Sequence, residues 1–171
     1  MQSVRVVDRI FLGTYNSAMN KLGRKYITEE KSLNIEGAIA LREAVVKIAQ
    51  KMGISGFLTI FGRNGIEQTS QVIGNSAMFI SIEVARARIK TVLAVHRSTS
   101  LQRERMKEKG QSREDFAGQL GSLFGGGVAI FADSAHAEFI GAMAFGGGTE
   151  EQDEQICRKA IEKVGLYTDV V

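Results

Sequence analysis

Hydrophobic and polar positions change period several times along the chain, and each change marks an element. Ile39, Ala40, Val46, Ile48, Ala49 and Met52 recur among Arg42, Glu43, Lys47, Gln50 and Lys51 at helical spacing. Ser32 or Asn34 supplies a cap for this helix, and Gly53 ends it. Two strand-like runs follow, Phe57 to Phe61 and Ile66 to Ile73, separated by Asn64-Gly65. Both turn residues tolerate positive φ, so the pattern predicts a β-hairpin.

The run Ser76 to His96 predicts the central helix. At about 100° per residue it has two apolar sectors instead of one. Met78, Ile82, Ala85, Ile89, Val92 and Leu93 share one face, which His96 extends, while Ile80, Val84, Ala87, Thr91 and Val95 lie roughly opposite. Glu83, Arg86 and Lys90 fill one gap between the sectors; the other holds only Ser81 and Arg88. Such a helix is expected to be covered on two sides and to lie deep in the molecule.

Beyond it, Thr99 or Ser100 caps a short charged helix, Leu101 to Lys109, closed by Gly110. A further turn or two is expected over Arg113 to Leu120. Val128 to Ala132 and Glu138 to Phe145 read as a second hairpin, with Asp133-Ser134-Ala135-His136 near its turn. A last helix runs from Glu150 to Val164 and stops at Gly165. The order predicts an α+β fold, an antiparallel sheet of two hairpins with helices packed against it. Residues 1–31 stand apart as an N-terminal extension, either an oligomerisation arm or a partly ordered tail, leaving 32–171 as the domain.

A length of 171 residues suits one domain. With 19 glycines and no proline, turns must be made by Gly and Asn. Cys157 is the only cysteine, which excludes an intrachain disulfide and a cysteine-based zinc site. The formal net charge is +3, and residues 1–31 account for it with six basic side chains against three acidic ones. The domain itself is neutral, so no basic face for nucleic acid is expected. Nor is a secretory signal or a membrane span visible, which makes the cytoplasm the expected compartment.

Few residues carry chemistry. Arg88 is always charged and must meet a carboxylate or carbonyls of the protein, or an acidic ligand. His96 lies in the last turn of the central helix, where it could act as a base or cap the helix end. His136, in a turn, is expected to be exposed and without a special role. Gly125-Gly126-Gly127 precedes a strand, the wrong order for a phosphate loop. Gly146-Gly147-Gly148 precedes a helix whose first turn is already acidic. These glycines instead let the backbone approach a neighbour or a flat ligand. Cys157 shares a face with Ile161 and Val164 and reads as a core thiol.

The run Ile80-Ser81-Ile82-Glu83-Val84-Ala85-Arg86-Ala87-Arg88-Ile89-Lys90-Thr91, followed by Ser98-Thr99, resembles the central-helix signature of the GlcG/HbpS-like domain family. Arg88 stands where that signature has lysine, and Ser98 where it has proline. Gly125 to Ile130, Phe139-Ile140-Gly141-Ala142 and Gly146 to Glu154 resemble the family's closing block. The resemblance spans roughly Ser32 to Val164. It implies a profilin-like α+β fold, a homo-oligomer, and haem binding or haem breakdown. His96 is then a candidate haem iron ligand, with Tyr26, Met78, Met106 and Met143 as alternatives. Arg88, Thr91, His96 and Gly125, Gly126 and Gly127 are the candidate ligand-binding residues. A second reading is an enzyme or accessory protein binding a small acid near Arg88, and a third is an assembly module without a ligand.

Overall fold

In the computed structural model, described for residues 30–75, 78–116 and 118–170, the chain from Lys31 onward forms one unit. Helix α1 (Ile35–Met52) starts where the Asn34 side chain accepts a hydrogen bond from the Gly37 N–H, and ends at Gly53 in the left-handed conformation. Strands β1 (Gly56–Gly62) and β2 (Glu67–Ile73) follow. Between them Gly65 takes φ 75°, and the Asn64 side chain accepts from the Ile66 N–H at 3.1 Å. This is the local chemistry that favours Asn-Gly in a tight turn.

Helix α2 (Phe79–Val95) and α3 (Thr99–Glu108) come next, then a single 3-10 turn, Glu114–Phe116. The expected helical turns over Arg113 to Leu120 reduce to that fragment. The Asp115 carboxylate accepts from the Ser112 N–H at 2.7 Å, and Gly118 has φ 75°. Both features compete with a continuing helix. Strands β3 (Gly127–Phe131) and β4 (Phe139–Gly146) make the second hairpin, and α4 (Glu150–Lys163) closes the domain.

The two hairpins join through β1 and β4 into one antiparallel sheet of order β2-β1-β4-β3. Leu58, Ile60, Val128, Ile130, Met143 and Phe145 pack with the apolar stripes of α1 and α4. On the opposite face Ala129, Ala142 and Ala144 lie among Phe57, Phe131 and Phe139, and α2 packs there with Ala85, Ile89 and Val92. The α+β architecture follows the sequence pattern.

Helix α2 departs from its expected depth. The middle of its first apolar sector, Ala85, Ile89 and Val92, is buried, but the ends of that sector and most of the second are covered only in part. The irregular segment after α3 lies against it: the Gly121 N–H donates to Thr91 Oγ1 at 2.9 Å, and Ser122 N–H to the Ala87 carbonyl at 3.0 Å. At its N-terminal end Met78, Phe79 and Ile80 are exposed, Phe79 by 75%. A double apolar stripe therefore marks contact with a loop and an open patch, not central burial. Residues 1–29, and with them all of the expected 1–31 arm but its last two residues, lie outside the described residues.

Candidate functional site

Two polar arrangements flank α2. The first is internal. Arg88, 4% exposed, points from α2 over the end of the sheet. Its Nη1 donates to Asp153 Oδ2 at 2.7 Å and to the Phe145 carbonyl. Asp153, on the first turns of α4, also accepts from the Gly148 N–H at 2.8 Å. Burial pushes the Asp153 carboxyl above the ordinary carboxylate value, with Arg88 and the Gly148 N–H pulling against it. Arg88 Nε is buried without a hydrogen-bond partner.

The glycines make room for this pair. A Cβ on Gly126 would stand 2.7 Å from both Arg88 Nη1 and Asp153 Cβ, and one on Gly127 would stand 2.8 Å from Arg88 Cβ and Thr99 Cγ2. Gly125 N–H donates to Glu150 Oε2 at 2.8 Å. Arg88, Gly126 and Gly127 thus come together around a carboxylate of the chain itself. Thr91 is fully buried and bonded to Gly121. At Gly148 the start of α4 is served by Asp153, and Thr149 with Gln152 completes a capping box. Cys157 is fully buried, and burial pushes its thiol pKa up, so it is held as a protonated core thiol.

The second arrangement is open to solvent. His96 caps α2 at its C-terminal end with φ 50°, its N–H bonded to the Val92 carbonyl. Its ring stacks on Phe139, centroids 4.1 Å apart and planes 12° apart. Phe139 meets Phe131 edge to face at 5.9 Å, and Phe131 meets His136 at 5.4 Å. His136 sits in the β3–β4 turn, which the Asp133 carboxylate ties by accepting from the Ala137 and Glu138 N–H groups. The four rings line one cavity of about 620 Å³, together with Arg97 and Arg105 and the acidic Glu104 and Glu108. The C-terminal segment closes one wall with Asp169, whose carboxylate accepts from the Ser98 N–H and hydroxyl.

His96 and His136 are the only non-glycine residues with positive φ among the described residues. That backbone region is sparsely populated, and such residues gather at functional sites. Of the candidate ligand-binding residues named from sequence, only His96 belongs to this cavity. His136, expected to be exposed, is instead half-buried against Phe131, and reasoning from sequence gave no role to it, Phe131, Phe139, Arg97 or Arg105. The available signal was the placement of Phe131 and Phe139 on the two arms of the hairpin whose turn carries His136.

A separate depression, about 550 Å³, runs along the outer flank of α2, with Val84, Ala87, Leu123 and Phe124 in its walls. Among the described residues no histidine, cysteine, methionine or tyrosine lines it. Among the described residues no group of three or more His, Cys, Asp or Glu is placed to hold a metal ion, and no helix is long and apolar enough to cross a membrane.

Comparison with known proteins agrees with this fold. The family model described as haem degrading protein HbpS-like matches residues 33–162. The crystal structure of a PduOC–heme complex is similar at 24% identity and TM-score 0.69, over 81% of this chain and 99% of that one. ORFY of Klebsiella pneumoniae is similar at 21% identity and TM-score 0.68, over 80% and 92%. A crystal structure of HbpS is similar at 21% identity and TM-score 0.66, over 81% and 94%. No curated protein sequence matches the chain.

Proposed function

The chain belongs to the HbpS-like family, and from that premise we propose that it binds haem or a related tetrapyrrole in the cavity lined by His96 and His136, serving haem sequestration or breakdown. The observation that carries this reading is the convergence of both left-handed histidines and two phenylalanine rings on one cavity. Its volume of about 620 Å³ falls among small-molecule sites, which run from roughly 300 to 1,000 Å³.

The residues suit the group. Imidazole is a common axial ligand of haem iron, and His96 is the iron ligand of this proposal. Stacking on Phe139 and the fixed backbone at the helix cap orient its ring before a ligand arrives. Phe131 and Phe139 are buried and form the packed apolar wall that backs the two histidine rings. Arg97 and Arg105 are cations whose donor forks match carboxylates such as propionates. When bound, haem supplies a redox-active iron centre. Among the described residues, the depression on the outer flank of α2 offers no such iron ligand.

An acidic small molecule at Arg88 is a weaker fit. It would have to displace Asp153 from a nearly closed interior. Self-association is part of the proposal, supported by the exposed run Met78, Phe79 and Ile80 and by Phe124, 61% exposed.

Haemin titration tests the ligand. A saturable Soret band at micromolar haemin, shifted or weakened in His96→Ala, supports the reading; featureless and non-saturating uptake removes it. Following the same band after adding a reductant in air separates sequestration, where it persists, from breakdown, where it decays. Light scattering tests assembly, and a clean monomer contradicts it.

A further inference from the structure

On the opposite side of the sheet from the histidine cavity, α1 and α4 present a quartet of like charges. Lys47 and Lys51 are one turn apart on α1, and Lys159 and Lys163 repeat that spacing on α4. All four are exposed and line a single groove of about 440 Å³, with Ile48 and Met52 beneath them. None of the four is ion-paired among the described residues. Glu43 lies one turn before Lys47 and Glu162 beside Lys163, yet neither comes within ion-pair distance.

Helix ends explain half of the pattern. Lys51 and Lys163 stand in last turns, where a cation complements the helix dipole. Lys47 and Lys159 lie a turn further in, where that effect has faded. Like charges four residues apart on a helix repel each other. Two such pairs facing one groove concentrate a positive potential that a multivalent anion would neutralise.

We propose that this groove is a binding site for a soluble oligophosphate. Lysines at i and i+4 stand about 5–6 Å apart at Cβ, and packed helices have axes about 8–10 Å apart. A chain of several phosphoryl groups spreads its charge along both pairs, whereas a lone phosphate must draw four mutually repelling ammonium groups onto one centre. Lysine donates three hydrogen bonds from a flexible stem and suits such a chain better than a fixed bidentate partner. The apolar floor supports the four methylene stems.

Calorimetric titration at low ionic strength with tripolyphosphate and with orthophosphate tests the site. The expected result is saturable binding of tripolyphosphate, at least tenfold tighter than orthophosphate. Lys47→Glu combined with Lys51→Glu should weaken it at least tenfold. The milder pair Lys47→Gln and Lys51→Gln should weaken it in the same direction, and circular dichroism checks that each variant folds. Charge reversal of the exposed Lys107 and Lys109 on the α3 end serves as the control and should leave binding within about twofold. Equal affinity for the two anions, equal loss in the control, no saturable binding, or uptake only onto anionic lipid vesicles would each overturn the proposal. Haemin uptake is read on the same variants, so loss of one site is distinguishable from loss of the other.

Discussion

Arg88 on α2 and Asp153 on α4 reach across the end of the sheet and meet at 2.7 Å, both almost completely buried. This contact ties together the two helical layers that the sheet separates. It also gives the lone arginine of α2 a partner 65 residues away in sequence.

Breaking the pair should be costly. Arg88→Ala or Asp153→Ala leaves an uncompensated buried charge, for which about 3–5 kcal/mol is typical. Replacing both residues together with apolar ones should cost less than the two single losses combined. Urea denaturation of the four proteins measures this cycle. Additive single and double losses would mean that the contact does not couple the two helices.

The left-handed turn at His96 sets stability against binding. A non-glycine residue there bears a penalty of about 1–2 kcal/mol that glycine escapes. Both His96→Gly and His96→Ala remove the ring, so their difference isolates the backbone. The glycine variant should be the more stable by about 1 kcal/mol, and both should bind haemin more weakly than the parent. A glycine variant less stable than the alanine one would contradict the strain.

Acid should act through Glu150. Burial works against its charge, but the Gly125 N–H and Arg103 outweigh it and hold its carboxyl below the ordinary value. A lowered folded-state pKa contributes stability above the unfolded value near 4.5, and that stability is lost as pH falls through the folded value. Glu150→Gln should therefore flatten the fall in melting temperature below about pH 4.5, while lowering it at neutral pH. Parallel pH profiles for parent and variant would rule this out.

Glycine is required at the β3 entrance. Gly126 has φ 109°, and a Cβ there meets Arg88 and Asp153 at 2.7 Å. Gly126→Ala should destabilise by about 2 kcal/mol or more, through strain added to displacement of the buried pair. Gly53→Ala, whose Cβ meets nothing within 4 Å, bears only the left-handed penalty and should cost less. Thermal melts of both decide; equal losses would show that crowding at Gly126 is relieved without cost.

Local patterns were sufficient for most elements, because caps, turns and periodicity act within a few residues. Asn34, Gly53, Asn64-Gly65 and the Thr149 cap all do in three dimensions what their types dictate. Period alone misread the second apolar sector of α2, since it reports that a face is apolar and not what covers it. Asp115 and Gly118 broke an expected helix through local bonds that periodicity does not weigh.

From the sequence alone follow an α+β chain of two hairpins, the need for Arg88 to find an acidic or carbonyl partner, and a family resemblance over most of the length. Which carboxylate answers Arg88 depended on the docking of α4, since Asp153 looked like one more acid at a helix start. The candidate site depended on tertiary structure still more. His96 and His136 are 40 residues apart and share no local pattern. They meet on one cavity only because β3 and β4 pair beneath the end of α2 and hold Phe131 and Phe139 between the two rings.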